Sequence, residues 1–387
     1  MSKVVAPFKG RPATDLLKYL DSVLCGSSSI ESFAELTDYL LEIDADCSLS
    51  VQIEESTENP TGLTPAAMVE KMDLLLRALF EHLNRGVSDE FFMGALRVFE
   101  HSVLKLHRPH YIQFVTFCLA CSSKDRADKY LSFLLNIIHD DSSDPISRRE
   151  AIGYVGSFVC RANHLSWSHS ARSGKYLLSF MTTVSSRALL VITLQTLCYM
   201  IIWESDRWDA NSMELDWVYR SRKGLVSLIS NCELNLFRLI SIQTLNMLFP
   251  VIGRFSSQLK QCVAEAIRDR NELIPSGWKP YVSEFPFDTN LLNLIRSKQF
   301  ILPLLRQWQD PTLEFEDMNE HIGPAAKLDD DDMEDEDVWC YRNLLQISSP
   351  AFSPIFSPAE FPPEQSDTNI VLNRILSSKS FVLNPEI

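Results

Sequence analysis

Apolar residues recur at spacings of three and four along almost the whole chain, while strand-like alternation is almost absent. That periodicity predicts α-helices. Two amphipathic segments come first, over about 13–25 and 30–43, parted by the loop Gly26-Ser27-Ser28-Ser29. The polar stretch 44–62 carries Asn59-Pro60-Thr61-Gly62 and reads as a linker. Thr64-Pro65 opens the next helix, with Met68, Met72, Leu75, Leu76, Leu79 and Phe80 as its stripe and Gly86 as its stop. Ser88 caps another, running through Phe92, Leu96, Phe99 and Leu104 to a break at Pro109. Further helices are expected over about 110–121, 125–139, 145–162, 175–184, 187–203, 224–229, 234–249 and 256–268.

The stretch 144–162 organises the reading. Asp144-Pro145 is a helix start, because the carboxylate accepts free amide protons and proline loses nothing at the first helical position. Ser147 and Glu150 offer a second start in capping-box spacing, and the pattern leaves both open. Ala151, Ile152, Val155, Phe158, Val159 and Ala162 form the apolar stripe. Gly153 and Gly156 cost helix propensity and imply close approach of a neighbouring backbone. An Asp-Pro start, two arginines and then small and apolar residues is how the inner helix of a HEAT-type repeat is written. The fold class expected is therefore all-α: a HEAT-like α-solenoid of stacked antiparallel helix pairs, each burying its stripe against its neighbours.

After Asn271 the texture changes, with Pro275, Gly277, Pro280 and Pro286 breaking helices before a last helix over about 291–308. Beyond Pro311 the chain is acidic, then rich in serine and proline, and reads as a disordered tail. Three regions follow: N-terminal helices and polar linker over 1–63, the helical repeat domain over 64–310, and the tail over 311–387.

Charge sharpens this division. The formal net charge is -15, yet the segment from Pro311 to Cys340 holds twelve Asp/Glu against the single Lys327, so the rest of the chain is nearly neutral. No basic excess recommends direct sequence-specific binding of nucleic acid. The start Met1-Ser2-Lys3 lacks the apolar core of a signal peptide. The apolar run Ala188–Trp203 is short for a bilayer and contains Thr193, Gln195 and Thr196, so it reads as a buried helix, and no membrane partner is expected. Nine scattered cysteines fit a reducing compartment.

Little supports catalysis. The chain has no glycine-rich phosphate loop, no Gly-x-Ser-x-Gly and no His-Glu-x-x-His, so no enzyme, cofactor or metal is expected. Cys118 and Cys121 have CxxC spacing but lie in an apolar helix without a second pair, where packing explains them. His107 and His110 flank Pro109 at a helix joint and suit turn chemistry. The acidic run Asp329–Asp337 reads as a solvated spacer. Ser349, Ser353 and Ser357 each precede a proline and are candidate sites for proline-directed phosphorylation. The cluster Phe285, Pro286, Phe287, Asp288, followed by the basic Arg296 and Lys298, is the candidate partner-binding site.

Three blocks of these residues carry a resemblance. The first holds Tyr111-Ile112-Gln113-Phe114, Ala127-Asp128-Lys129-Tyr130-Leu131, Arg149-Glu150-Ala151 and the phrase Tyr154-Val155-Gly156-Ser157-Phe158 with Arg161-Ala162. The second is Gln195 to Trp203, with Tyr199 at its centre. The third is Phe285-Pro286-Phe287-Asp288, then Arg296-Ser297-Lys298-Gln299-Phe300-Ile301, Pro303 and Trp308. Together they resemble the RNA polymerase I-specific transcription initiation factor family, of the TIF-IA type, over about 68–310. The resemblance implies a nuclear and nucleolar factor that binds RNA polymerase I subunits, bridges the enzyme to promoter-bound initiation factors on ribosomal RNA genes, and is switched by phosphorylation. Monomer and homodimer are both compatible with it. A generic α-solenoid scaffold or transport adaptor shares the helical pattern but not the third block. Family members carry more helical repeats before the block at Met68, whereas here only 64 residues precede Pro65. Either that region is shortened in this lineage or the sequence is a fragment. Thr289 also stands where the family tends to have proline.

Overall fold

The structure is a computed structural model, and it describes residues 30–52, 65–106, 109–205, 236–253, 257–268, 285–288, 291 and 293–307, with Lys18 besides. Within these residues the chain is helical and contains no β-strand. The all-α expectation therefore holds. The tail over 311–387, the segment 224–229 and all but Lys18 of 13–25 lie outside the described residues.

The described chain divides into two compact units. The first holds residues 30–154 and the returning segment Leu291–Leu305; the second holds residues from Val155 to Asp288, with Arg306.

In the first unit, α1 (Ile30–Gln52) packs on α2 (Pro65–Leu83) and α3 (Asp89–Val98). The predicted stripe of α2 is buried, and Gly86 ends the helix with a φ of 97° that a side chain would resist. Ser88 caps α3 as expected, its Oγ accepting from the Phe91 N–H at 3.1 Å. A π-helical turn over Phe99–Val103 continues it. Then α4 (Gln113–Cys121) pairs with α5 (Lys124–His139), which Ser123 caps. At α6 (Pro145–Arg161), whose residues from Val155 on belong to the second unit, the open choice of start resolves: Asp144 Oδ2 accepts from the Ser147 N–H at 3.1 Å.

The polar linker expected from Asp44 is, up to Gln52, the end of α1. Asp44 is buried, and its carboxylate faces the backbone N–H groups of His110, Tyr111 and Ile112 at 2.8 to 3.4 Å. Burial raises its carboxyl above the usual range, while those amides and His110 pull it back down. An aspartate that looked like linker is thus the cap that fixes the entry to α4.

In the second unit, α7 (Trp167–Thr183) pairs with α8 (Arg187–Trp203), and α8 also packs on α9 (Ile242–Ile252). The helix α7 begins eight residues before the expected start, because its first buried face is made of His169, Ser170, Ser173 and Gly174 rather than apolar residues. The helix expected over 234–249 divides into a 3-10 turn, Leu236–Leu239, and α9, since Ser241 caps the latter through the Thr244 N–H. The helix α10 (Ser257–Arg268) matches its pattern and packs on α9. Among the described residues no helix is long and apolar enough to cross a membrane.

At Gly156 the close neighbour is a side chain rather than the backbone expected: a Cβ there would overlap Thr196 Cγ2 of α8 and come within 3.7 Å of Met200 Cγ. A β-branched side chain inside a helix has few rotamers to retreat into. Gly156→Leu should therefore cost about 1–3 kcal/mol or more through overpacking. An unchanged thermal midpoint would refute the contact.

Candidate interaction site

The second unit brings together residues drawn from each of the three sequence blocks. Phe285 stacks on Tyr199 of α8, with ring centroids 3.7 Å apart and planes 23° from parallel. Phe287 is fully buried, edge-on to Phe158 of α6, and its backbone N–H donates to Ser157 Oγ at 3.0 Å. Tyr199 donates its phenol hydrogen to Asp288 Oδ1 at 2.9 Å, and Arg161 Nε lies 3.5 Å from the same oxygen. Burial first, then the Asp288 charge, holds the Tyr199 phenol well above its ordinary range, so it acts as a fixed donor. Arg161 also lies over the Trp203 ring, 4.9 Å from its centroid. The phrase Gly156-Ser157-Phe158 with Arg161, the helix bearing Tyr199 and Trp203, and Phe285–Asp288 are three parts of one joint.

That joint closes over an ion pair. Glu204, at the end of α8, is wholly buried and meets Arg306 at 3.2 Å and the Ser170 hydroxyl at 3.0 Å. Arg306 also donates to the Trp203 carbonyl at 2.8 Å, and its backbone N–H to the Arg161 carbonyl at 2.6 Å. Neither partner of this pair stood out in the sequence.

The candidate partner-binding residues therefore separate. Phe285 and Phe287 are buried within the second unit. Pro286 and Asp288 are half-buried.

Arg296 and Lys298 belong to the first unit, on the segment Leu291–Leu305. There the expected helix over 291–308 reduces to the single turn α11 (Lys298–Ile301) and a 3-10 turn, Leu302–Leu304. Asp73 of α2 is the reason the chain turns here. Its buried carboxylate accepts from the Arg296 N–H at 2.8 Å, the Ser297 N–H at 2.7 Å and the Ser297 hydroxyl at 2.6 Å. The Arg296 guanidinium lies 3.5 Å from Glu70 and 3.8 Å from Asp73, so its charge is engaged internally. Lys298 makes no ion pair among the described residues. Ser349, Ser353 and Ser357 lie outside them.

Cys118 and Cys121 carry free thiols, and burial pushes both far above the ordinary thiol range, so neither is a ready nucleophile or metal ligand. His110 sits at a turn with its backbone amide on Asp44; His107 is outside the described residues. No cluster of His, Cys, Asp and Glu able to hold a metal occurs among the described residues.

Residues 29–189 match the family model described as RNA polymerase I specific transcription initiation factor RRN3. The mouse RNA polymerase I-specific transcription initiation factor RRN3 is 20% identical over 320 residues, covering 72% of this chain and 47% of the relative. The Schizosaccharomyces pombe protein of the same description is 27% identical over 125 residues, covering 29% of this chain and 21% of its own. A crystal structure of RNA polymerase I transcription initiation factor Rrn3 superposes with a TM-score of 0.65 at 16% identity, covering 78% of this chain and 68% of that one. The chain thus spans about half the length of the mouse relative, and it shares the helical fold of the solved structure. Over residues 29–189 the chain is thus similar to the family model of the RNA polymerase I specific transcription initiation factor RRN3, and two curated initiation factors of that description are among its relatives.

Proposed function

We propose that the chain acts as an RNA polymerase I-specific transcription initiation factor: a HEAT-type helical scaffold, nuclear and nucleolar, that binds RNA polymerase I and links it to promoter-bound factors at ribosomal RNA genes. The observation that carries this reading is the joint in the second unit. Residues from all three blocks of the family resemblance meet there, through the Phe287–Ser157, Asp288–Tyr199 and Asp288–Arg161 contacts. A generic helical scaffold has no reason to carry that set of partners. The mechanism is surface complementarity, with phosphates at Ser349, Ser353 and Ser357 adding charge that opposes docking.

Affinity recovery from nuclear extract with the tagged chain tests the reading. RNA polymerase I subunits in the bound fraction support it; transport cargo without polymerase supports an adaptor instead. Elution as one copy or two by light scattering separates monomer from homodimer.

Within the basic pair, Lys298 is the better probe. Reversing Arg296 would set a negative charge beside Glu70 and Asp73 and confound binding with stability. Lys298→Glu should leave the fold intact, since Lys298 is only half-buried and makes no ion pair among the described residues, and surface substitutions of that kind seldom move stability by more than about half a kcal/mol. Association with the polymerase should weaken, mostly through a slower on-rate at low salt. On-rates equal to wild type at low salt would remove Lys298 from the interface.

A further inference from the structure

The helix α7 turns a polar, positively charged stripe to solvent. Ser168, Arg172, Lys175, Ser179 and Thr182 are all exposed and follow one another by four, three, four and three residues. At 3.6 residues per turn they fall in one narrow arc, along about 21 Å of the helix. The other side, with His169, Ser173, Gly174, Leu177, Phe180 and Met181, is buried.

The sign of this stripe is unusual for the chain. In α2 and α5 helical cations are matched on their own helix, Arg77 by Glu81 and Lys129 by Asp125, each at 2.7 Å. The helix α7 has no carboxylate of its own, and none stands between Glu150 and Glu204 in the sequence. Among the described residues the second unit has eight Lys/Arg against three Asp/Glu. Those three are engaged with other groups. Glu204 is buried on Arg306 and Ser170, Asp288 meets Tyr199 and Arg161, and Glu265 accepts from Gln261 at 3.0 Å. A chain of net charge -15 thus presents a locally positive face here.

The chemistry of the stripe selects the partner. Arg172 and Lys175 are one turn apart, with Cβ atoms about 5–6 Å from each other. The guanidinium fork can hold one carboxylate through two parallel N–H bonds, and the ammonium a second as a point charge. On the next turn the Ser179 hydroxyl can donate to a further oxygen. Nucleic acid fits less well, because its binding rests on many phosphate contacts and would meet the chain's overall negative charge. We propose that the exposed stripe of α7 docks an acidic polypeptide segment of a partner protein, with neighbouring carboxylates on Arg172 and Lys175. Exposed ion pairs contribute little each, so the contact is weak, sensitive to salt, and serves mainly to steer and orient the partner. It goes beyond the initiation-factor reading, and its test needs no polymerase.

Fluorescence anisotropy of a labelled oligoglutamate peptide with the full chain, at low salt, is that test. Arg172→Glu combined with Lys175→Glu should weaken binding at least about tenfold, and wild-type binding should fade as salt rises. Arg85→Glu combined with Lys124→Glu changes the net charge equally, on exposed residues of the first unit, and should leave binding within about twofold. Should the stripe reversal lower the helical circular dichroism, Arg172→Gln with Lys175→Gln decides, and should weaken binding at least about threefold. Equal losses in the stripe and control variants overturn the proposal, because net charge alone would then govern binding. Undiminished binding by a folded stripe variant overturns it, as does absence of binding by the wild type. A labelled DNA duplex or RNA strand that binds more tightly than the peptide, and loses binding with the stripe, replaces the polypeptide with nucleic acid.

Discussion

Phe287→Ala is expected to destabilise the second unit by about 3–5 kcal/mol, the range for removing a fully buried phenylalanine. The ring is wholly buried against Phe158, yet it enters on a segment with little regular structure of its own. The backbone amide bond to Ser157 survives the substitution, so the loss isolates packing from hydrogen bonding. Ser157→Ala, by contrast, should cost about 1 kcal/mol, because it strands one amide and leaves the ring in place. Urea unfolding followed by fluorescence separates the two. A Phe287→Ala loss below that of Ser157→Ala would mean that the segment is not seated on α6 in solution.

Arg306→Met is expected to be of similar size. It leaves the Glu204 carboxylate buried with Ser170, which brings a hydroxyl but no charge. Removing one partner of a buried pair costs about 3–5 kcal/mol. Arg306 keeps 12% of its side chain exposed while Glu204 keeps none, so the lower end of that range is expected. The double variant Glu204→Gln, Arg306→Met should recover most of the loss, because an uncharged amide tolerates the site. If the double variant is as unstable as the single one, the damage lies in the Trp203 contacts rather than in the stranded charge.

Both expectations concern contacts between segments far apart in the chain, and this separates what the sequence alone determined from what it could not. The stripe of α2, the caps Ser88 and Asp144, the stop at Gly86 and the close approach at Gly156 were all legible, because each is local: a helix's own period, its first turn, or the absence of a Cβ. The resemblance to the family was legible too, above all because the string Phe285 to Asp288 has no helical reason to exist.

The joint itself was legible only as a list of unusual residues. Phe285 and Phe287 are buried, and that burial depends on what α6 and α8 place above them. Asp44 looked like linker, and Asp73 like one polar residue on an amphipathic helix. Each caps a segment far along the chain: Asp44 holds His110 at a separation of 66 residues, and Asp73 holds Ser297 at 224. A carboxylate within reach of its own helix's amides leaves a readable spacing, whereas one that caps a distant segment leaves none. Local pattern thus determined the helices and their ends. Which polar residues became buried caps and latches was decided only when the tertiary fold brought unpaired backbone amides and the Arg306 guanidinium to them, because such groups cannot be buried without a partner.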